Sequence, residues 1–216
     1  MTDAIGKIEL AKMFAHAAEE IRREHSYLSE LDSVAGDGDH GTTMLRVAER
    51  LEAAAGANTP EDLGHLLRDA GWSVMGVDGG ASSALLGTFF AGMADAAIGD
   101  ASMDCAQVAR AFEAGLAAVS KQTKAQPGDK TMMDALVPAV GAISAAAASG
   151  KTVAEAFETA ASAARAGADS TKDMVARYGR AKFLGDKTRG SPDAGAASVA
   201  LLFQGFYAGL AFERKG

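Results

Sequence analysis

The stretch Leu31 to Met44, LDSVAGDGDHGTTM, holds the residues best suited to chemistry. Asp32, Asp37 and Asp39 lie within eight residues, His40 follows, and Gly36, Gly38 and Gly41 are threaded between them. Carboxylates this close repel one another unless a cation sits among them. Mg²⁺ and Ca²⁺ are the usual cations, because hard ions take oxygen ligands. The glycines let the backbone turn tightly and approach a ligand. A helical pattern starts directly afterwards, so the stretch feeds a helix N-terminus, whose free N–H groups suit a phosphate. Together these features point to metal-assisted nucleotide chemistry. A plain turn with capping aspartates is the simpler reading, but an Asp followed five residues later by D-G-D-H-G is denser than a turn needs. An EF-hand does not fit: counted from Asp37, Gly41 takes the fifth place and Ala48 the twelfth, where oxygen ligands are required.

Other motifs carry weaker signals. Gly79-Gly80-Ala81-Ser82-Ser83 opens a helical pattern with small residues, which would let a phosphate or a base pack against backbone. No G-x-x-x-x-G-K-[ST] is present, and the two GDKT fragments at Gly128 and Gly185 place Asp where a P-loop requires Gly. G-x-S-x-G is also absent, and Cys105 has no histidine near it in sequence, so nucleophilic hydrolase chemistry is poorly supported. Arg177, Arg180, Lys182, Lys187 and Arg189 form a basic loop, ordinarily a solvated face.

These motifs need a scaffold, and the periodicity is helical almost throughout, with no alternating strand. Helices are predicted over about 5–25, 42–55, 60–75, 80–98, 104–123, 131–148, 152–175 and 194–213. Thr59 is the expected N-cap of the third, with Pro60 in its first turn and Glu61 and Asp62 at its positive end. Thr152 and Glu155 form a capping box for the seventh, and Pro138 is expected to bend the sixth. The connections after helices 2, 4 and 6 are short and plain. Those after helices 1, 3, 5 and 7 carry the Asp, Gly and basic residues. In an up-and-down bundle every second connection lies at one end, so the four unusual connections should converge there.

Composition fits one domain over residues 1–216, with 48% hydrophobic residues and a formal net charge of −7. With no dense Lys or Arg cluster, nucleic acid and anionic membranes are not expected partners. One cysteine excludes an intrachain disulfide, and the N-terminus lacks the pattern of a secretion signal, so a cytoplasmic location is expected. Gly79 to Ala94 is read as the most apolar stretch and as a buried helix, and no spanning helix is expected.

The runs LDSVAGDGDHGTTM, GGASSALLGTFF, QPGDKTMMDALVPA and GRAKFLGDKTRGSPDAGAASV, in this order and spacing, resemble the L subunit of dihydroxyacetone kinase across nearly the whole chain. The resemblance implies an all-α fold, a closed barrel of eight antiparallel up-and-down helices with the nucleotide site at one end. It implies that Asp32, Asp37 and Asp39 hold two Mg²⁺ ions bridging the phosphates of ADP or ATP. His40, Gly41, Thr42 and Thr43 then match the helix start that meets the phosphates. Gly79, Gly80, Ala81 and Ser82 match the glycine-rich nucleotide segment. Gly128, Thr131 and Met132 match a third loop, its methionine near the adenine, and Arg180 with Asp193, Ala194 and Gly195 match the last contacting stretch. No general base is evident. The implied partners are a separate K-type subunit that holds the sugar and, in members that keep ADP as a coenzyme, a phosphocarrier protein of the DhaM kind. Other members use ATP directly, and both phosphate sources stay open. Ser83-Ala84 stand where the family commonly reads Gly-Pro. Ser83 is expected to add a side chain beside the nucleotide or acceptor, which brings in a larger ketose such as a four-carbon sugar. Two further readings are a fatty-acid-kinase-like nucleotide domain and a non-enzymatic nucleotide sensor docking on a regulator.

Overall fold

The computed structural model describes residues 3–56 and 62–211. Helices dominate: α1 Lys7–Ser33, α2 His40–Gly56, α3 Leu63–Met75, α4 Gly80–Ala97, α5 Cys105–Gln122, α6 Met133–Ala148, α7 Val153–Ser170 and α8 Ala194–Ala211. Each packs against the next in sequence, and α8 returns to pack along α1. Buried residues recur at helical spacing, as in Leu10, Met13, Phe14, Ala17, Ala18 and Ile21 of α1, so each helix turns one apolar stripe inward. The interior is filled by a chain of phenylalanines. Phe112 meets Phe89, Phe157 and Phe203 edge-on at 5.4–5.9 Å between ring centroids, and Phe14 meets Phe90 and Phe206.

The α1–α8 seam is close because α8 brings glycines to it. A side chain at Gly205 would strike the backbone of Ala17, and one at Gly209 that of Lys12 and Met13. α8 carries no charged residue over its 18 residues. Among the described residues it is the one helix long and apolar enough to cross a membrane, where none was expected, although 67% of it is buried within the protein. Packing between α1 and α7 accounts for that composition.

The structure corrects several expected boundaries. α1 continues eight residues past His25, because Leu28 and Leu31 extend its buried stripe and no breaker intervenes before Gly36. Asp32 is thus on the last helical turn, not in a loop. α7 stops at Ser170, where the buried Thr171 hydroxyl turns back to Ala168 O and a short 3-10 turn follows. The basic stretch is not plain loop but 3-10 structure over Arg180–Thr188, kinked at Gly185. The Thr59, Pro60 and Glu61 cap lies outside the described residues. Among those described, Asp62 caps α3 through His65 N. α6 runs through Pro138 as one helix. The proline leaves the Asp134 carbonyl without its helical donor, and Gly167 of α7 packs against that carbonyl.

Two three-residue strands were also unexpected. β1 (Ala4–Gly6) pairs antiparallel with β2 (Ser102–Asp104). Asp62 accepts from Gly99 N at 2.8 Å, and Leu63 N donates to Asp100 O. These contacts bind the N-terminal strand and the α2–α3 and α4–α5 connections to one another, and none of their residues lines the cleft described next.

Candidate functional site

The connections after α1, α3, α5 and α7 converge on one cleft of about 410 Å³, within the range of small-molecule sites. The convergence follows from helix parity, as the sequence predicts. The α1–α2 wall supplies Asp32, Asp37, Asp39, His40 and Thr43. The α3–α4 wall supplies Gly79 to Ser82, the α5–α6 wall Thr131 and Met132, and the α7–α8 wall Arg180 and Asp193 to Gly195.

Three expected residues lie outside this lining. Gly41 is buried against α1, where any side chain would meet the His25 carbonyl. Thr42 is exposed on the outer face of α2, and Gly128 is exposed with its N–H given to Asp134. Helical geometry explains the first two: from His40, only Thr43 returns to the same face within one turn.

Asp32, Asp37 and Asp39 each offer an oxygen within 4.8 Å of the others. Asp32 ends α1, and its carboxylate accepts from Gly38 N at 2.8 Å, folding the loop back over the helix end. The Asp39 carbonyl accepts from Thr43 N at 2.9 Å and so starts α2. The Arg180 guanidinium, from the far end of the sequence, forms an ion pair with Asp37 and holds that carboxyl below its ordinary range. Asp39 moves the other way, through loss of water first and the Asp37 charge next. An all-oxygen donor set whose like-charge repulsion is only partly relieved by Arg180 fits a hard divalent cation. His40 is buried, which depresses its pKa and keeps the ring neutral, and its Nε2 lies 3.2 Å from Ser198 Oγ on α8.

The opposite wall turns at Gly79, whose φ of +138° is open to glycine and hostile to other residues. A side chain there would collide with Thr43. Ser83 does not join this wall. It is 1% exposed, with its hydroxyl directed to Val77 O and Gly79 O, both at 3.0 Å. The sequence expectation that it reaches the ligand is therefore corrected, and it carries no argument for a larger sugar.

Lys130 was missed in the sequence, though it lies inside the QPGDKTM run. It lines the cleft yet is 6% exposed. Its ammonium donates to Thr171 O at 2.6 Å and Ser191 O at 2.5 Å, joining the α5–α6 and α7–α8 walls. Asp134 accepts from Gly128 N and Thr131 N and shapes the same loop. Thr188, also on the cleft wall, accepts from Ala176 N and fastens the basic segment.

A family model described as the DAK2 domain matches residues 34–208. The chain belongs to this family. The DAK2 domain seen here is 34% identical over 205 residues to the ADP-binding subunit DhaL of the PEP-dependent dihydroxyacetone kinase of Escherichia coli, covering 93% of this chain and 96% of that one. It is 33% identical over 198 residues to the D-erythrulose kinase of Mycolicibacterium smegmatis, covering 89% of this chain and 33% of that one. Among solved structures, the dihydroxyacetone kinase of C. freundii in complex with AMP-PNP and Mg²⁺ superposes with a TM-score of 0.71 at 27% identity, over 92% of this chain and 33% of that one. The DAK2 domain thus spans nearly all of DhaL but about a third of the longer kinases.

Proposed function

We propose that this chain is the nucleotide-binding subunit of a kinase for dihydroxyacetone or a related short ketose. One observation carries the reading. The clustered carboxylates and the glycine wall face each other across one cleft, in a chain that spans 96% of a subunit named for binding ADP. The return of α8 onto α1 supports a closed eight-helix barrel forming a single domain. In this reading Asp32, Asp37 and Asp39 hold two Mg²⁺ ions, which when bound neutralise the charge of the nucleotide phosphates. His40 and Thr43 orient the phosphates from the start of α2, with Gly41 and Thr42 shaping that turn. Gly79, Gly80, Ala81 and Ser82 form the wall along the nucleotide. Thr131 and Met132, on a loop shaped by Gly128, border the adenine. Arg180, Asp193, Ala194 and Gly195 close the last side. The residues bind and position; no side chain here is assigned as a general base.

The sugar would be presented by a K-type partner, and the relative named for D-erythrulose supports a four-carbon ketose beside the triose. The cleft rim suits such docking. Phe183 is 80% exposed, with Lys182 over its ring, beside Arg180, Lys187 and Arg189. A PEP-dependent relative supports ADP held as a coenzyme and recharged by a phosphocarrier. The deciding experiment denatures freshly purified protein and identifies what is released. ADP with about two Mg²⁺ per chain supports the coenzyme form, whereas an empty protein that binds Mg-ATP reversibly supports direct use of ATP. Asp37→Ala should abolish nucleotide binding with helicity intact. Wild-type protein that binds neither nucleotide refutes the proposal.

A further inference from the structure

We propose that Ser83 is a positioning residue that holds the glycine wall of the cleft in its nucleotide-receiving shape, an inference that rests on reading this cleft as a nucleotide site. The segment Val77 to Gly80 leaves α3 and must enter α4 through two consecutive residues of positive φ, Gly79 at +138° and Gly80 at +54°. Glycine tolerates that path but also leaves the unbound segment many alternatives, so something else must select this one. The segment has three fastenings. Thr43 of α2 packs against Gly79 so closely that no side chain fits between them. Arg46, one turn further along α2, donates to Asp78 O at 3.4 Å. Ser83 holds it from beneath.

The third fastening is the buried one. Ser83 Oγ is 3.0 Å from Gly79 O, the back-bond of a helical serine to the carbonyl four residues earlier. It is also 3.0 Å from Val77 O, six residues earlier and outside the helix. That second carbonyl lies in a buried setting, since Val77 is 7% exposed and Ser83 1%. The single hydroxyl proton therefore serves the segment on both sides of Asp78, and removing it strands a carbonyl away from water. Because Thr43 touches the same glycine, a segment released from Ser83 also loses its fixed distance to the α2 start that carries His40.

The test compares Ser83→Ala with Thr88→Ala. Thr88 makes the same kind of bond, Oγ1 to Ala84 O at 2.8 Å, on the same helix but away from the cleft. Two readouts are taken: hydrogen exchange of the amides from Val77 to Ser82 in protein stripped of nucleotide, and stopped-flow release of a fluorescent ADP analogue with Mg²⁺. Ser83→Ala should accelerate both, release by about tenfold, the equivalent of about 1.4 kcal/mol. Thr88→Ala should change neither by more than about twofold, even where it lowers the melting temperature as much. Ser83→Gly, which removes the hydroxyl without leaving a methyl against the Val77 carbonyl, at a further cost in helix propensity, should act in the same direction. Unchanged exchange in Ser83→Ala and Ser83→Gly overturns the anchor. Faster exchange with unchanged release overturns its role at the nucleotide. If wild-type protein binds no nucleotide, the exchange measurement still decides the anchor, and it is the reading of the cleft that falls.

Discussion

Replacing Asp193 by asparagine should alter how the stability of this protein depends on pH. The Asp193 carboxylate caps α8 by accepting from Ala196 N at 2.8 Å, while its own N–H is held by Thr171 Oγ1. Burial raises its pKa from 3.8 to about 6, against the opposing pull of the Ala196 hydrogen bond and of Lys130, with Asp134 adding repulsion. Below about pH 4 the carboxyl is protonated whether the chain is folded or not, and it costs nothing. Between about 4 and 6 the unfolded chain gives up the proton and the folded chain keeps it, so stability falls as pH rises. Above about 6 the penalty is complete. The gap between 3.8 and about 6 converts, at about 1.4 kcal/mol per pH unit, to about 3 kcal/mol. Asp193→Asn keeps an acceptor for Ala196 N and has nothing to ionise. Urea unfolding at pH 4, where the unfolded carboxyl is already about half ionised, and at pH 7.5 should therefore show the variant gaining on wild type by about 2.5 kcal/mol across that interval. Subtraction removes the titrations common to both proteins. A difference that does not change with pH would refute the argument.

Two further outcomes follow from packing. Gly79→Ala should weaken Mg-nucleotide binding by at least about tenfold while leaving most helicity, because the methyl meets Thr43 at a φ suited to glycine. Calorimetric titration beside circular dichroism checks it, and unchanged affinity would count against the wall. Phe112→Ala should cost about 3–5 kcal/mol in urea unfolding, since three ring contacts from α4, α7 and α8 end on that side chain. A cost below about 1 kcal/mol would mean that the core collapses around the gap.

Much of the scaffold was readable in the chain because its signals are local. The Thr152–Glu155 capping box starts α7 where the pattern places it, and counting helices was enough to bring four distant connections to one cleft. What stayed hidden depends on contacts between remote segments. β1 and β2 are three residues each and exist only because they meet across almost a hundred residues. The end of α1 was misjudged because the polar stretch around His25 and Ser26 masks a buried stripe that resumes at Leu28. Lys130 gave no sign of its partners, Thr171 O and Ser191 O, which belong to the end of α7 and the approach to α8. Ser83 was visible as a departure from the family motif, yet its direction was set by the free carbonyl of Val77.

The ion pair between Asp37 and Arg180 joins residues 143 positions apart, and α1, already packed on α2, gains its second neighbour only when α8 arrives. Most helical bundles fold quickly because their contacts are local in sequence. Here the earliest site residues must wait for the last ones. During synthesis, α1 to α7 can emerge and pack while the α1–α2 connection still lacks the α7–α8 wall of the cleft and its arginine. Ligand capture is consequently a property of the finished chain: a ribosome-bound or truncated product without α8 presents clustered acids but no closed cleft. Nucleotide retention would then serve as a direct readout that α8 has been made and has docked.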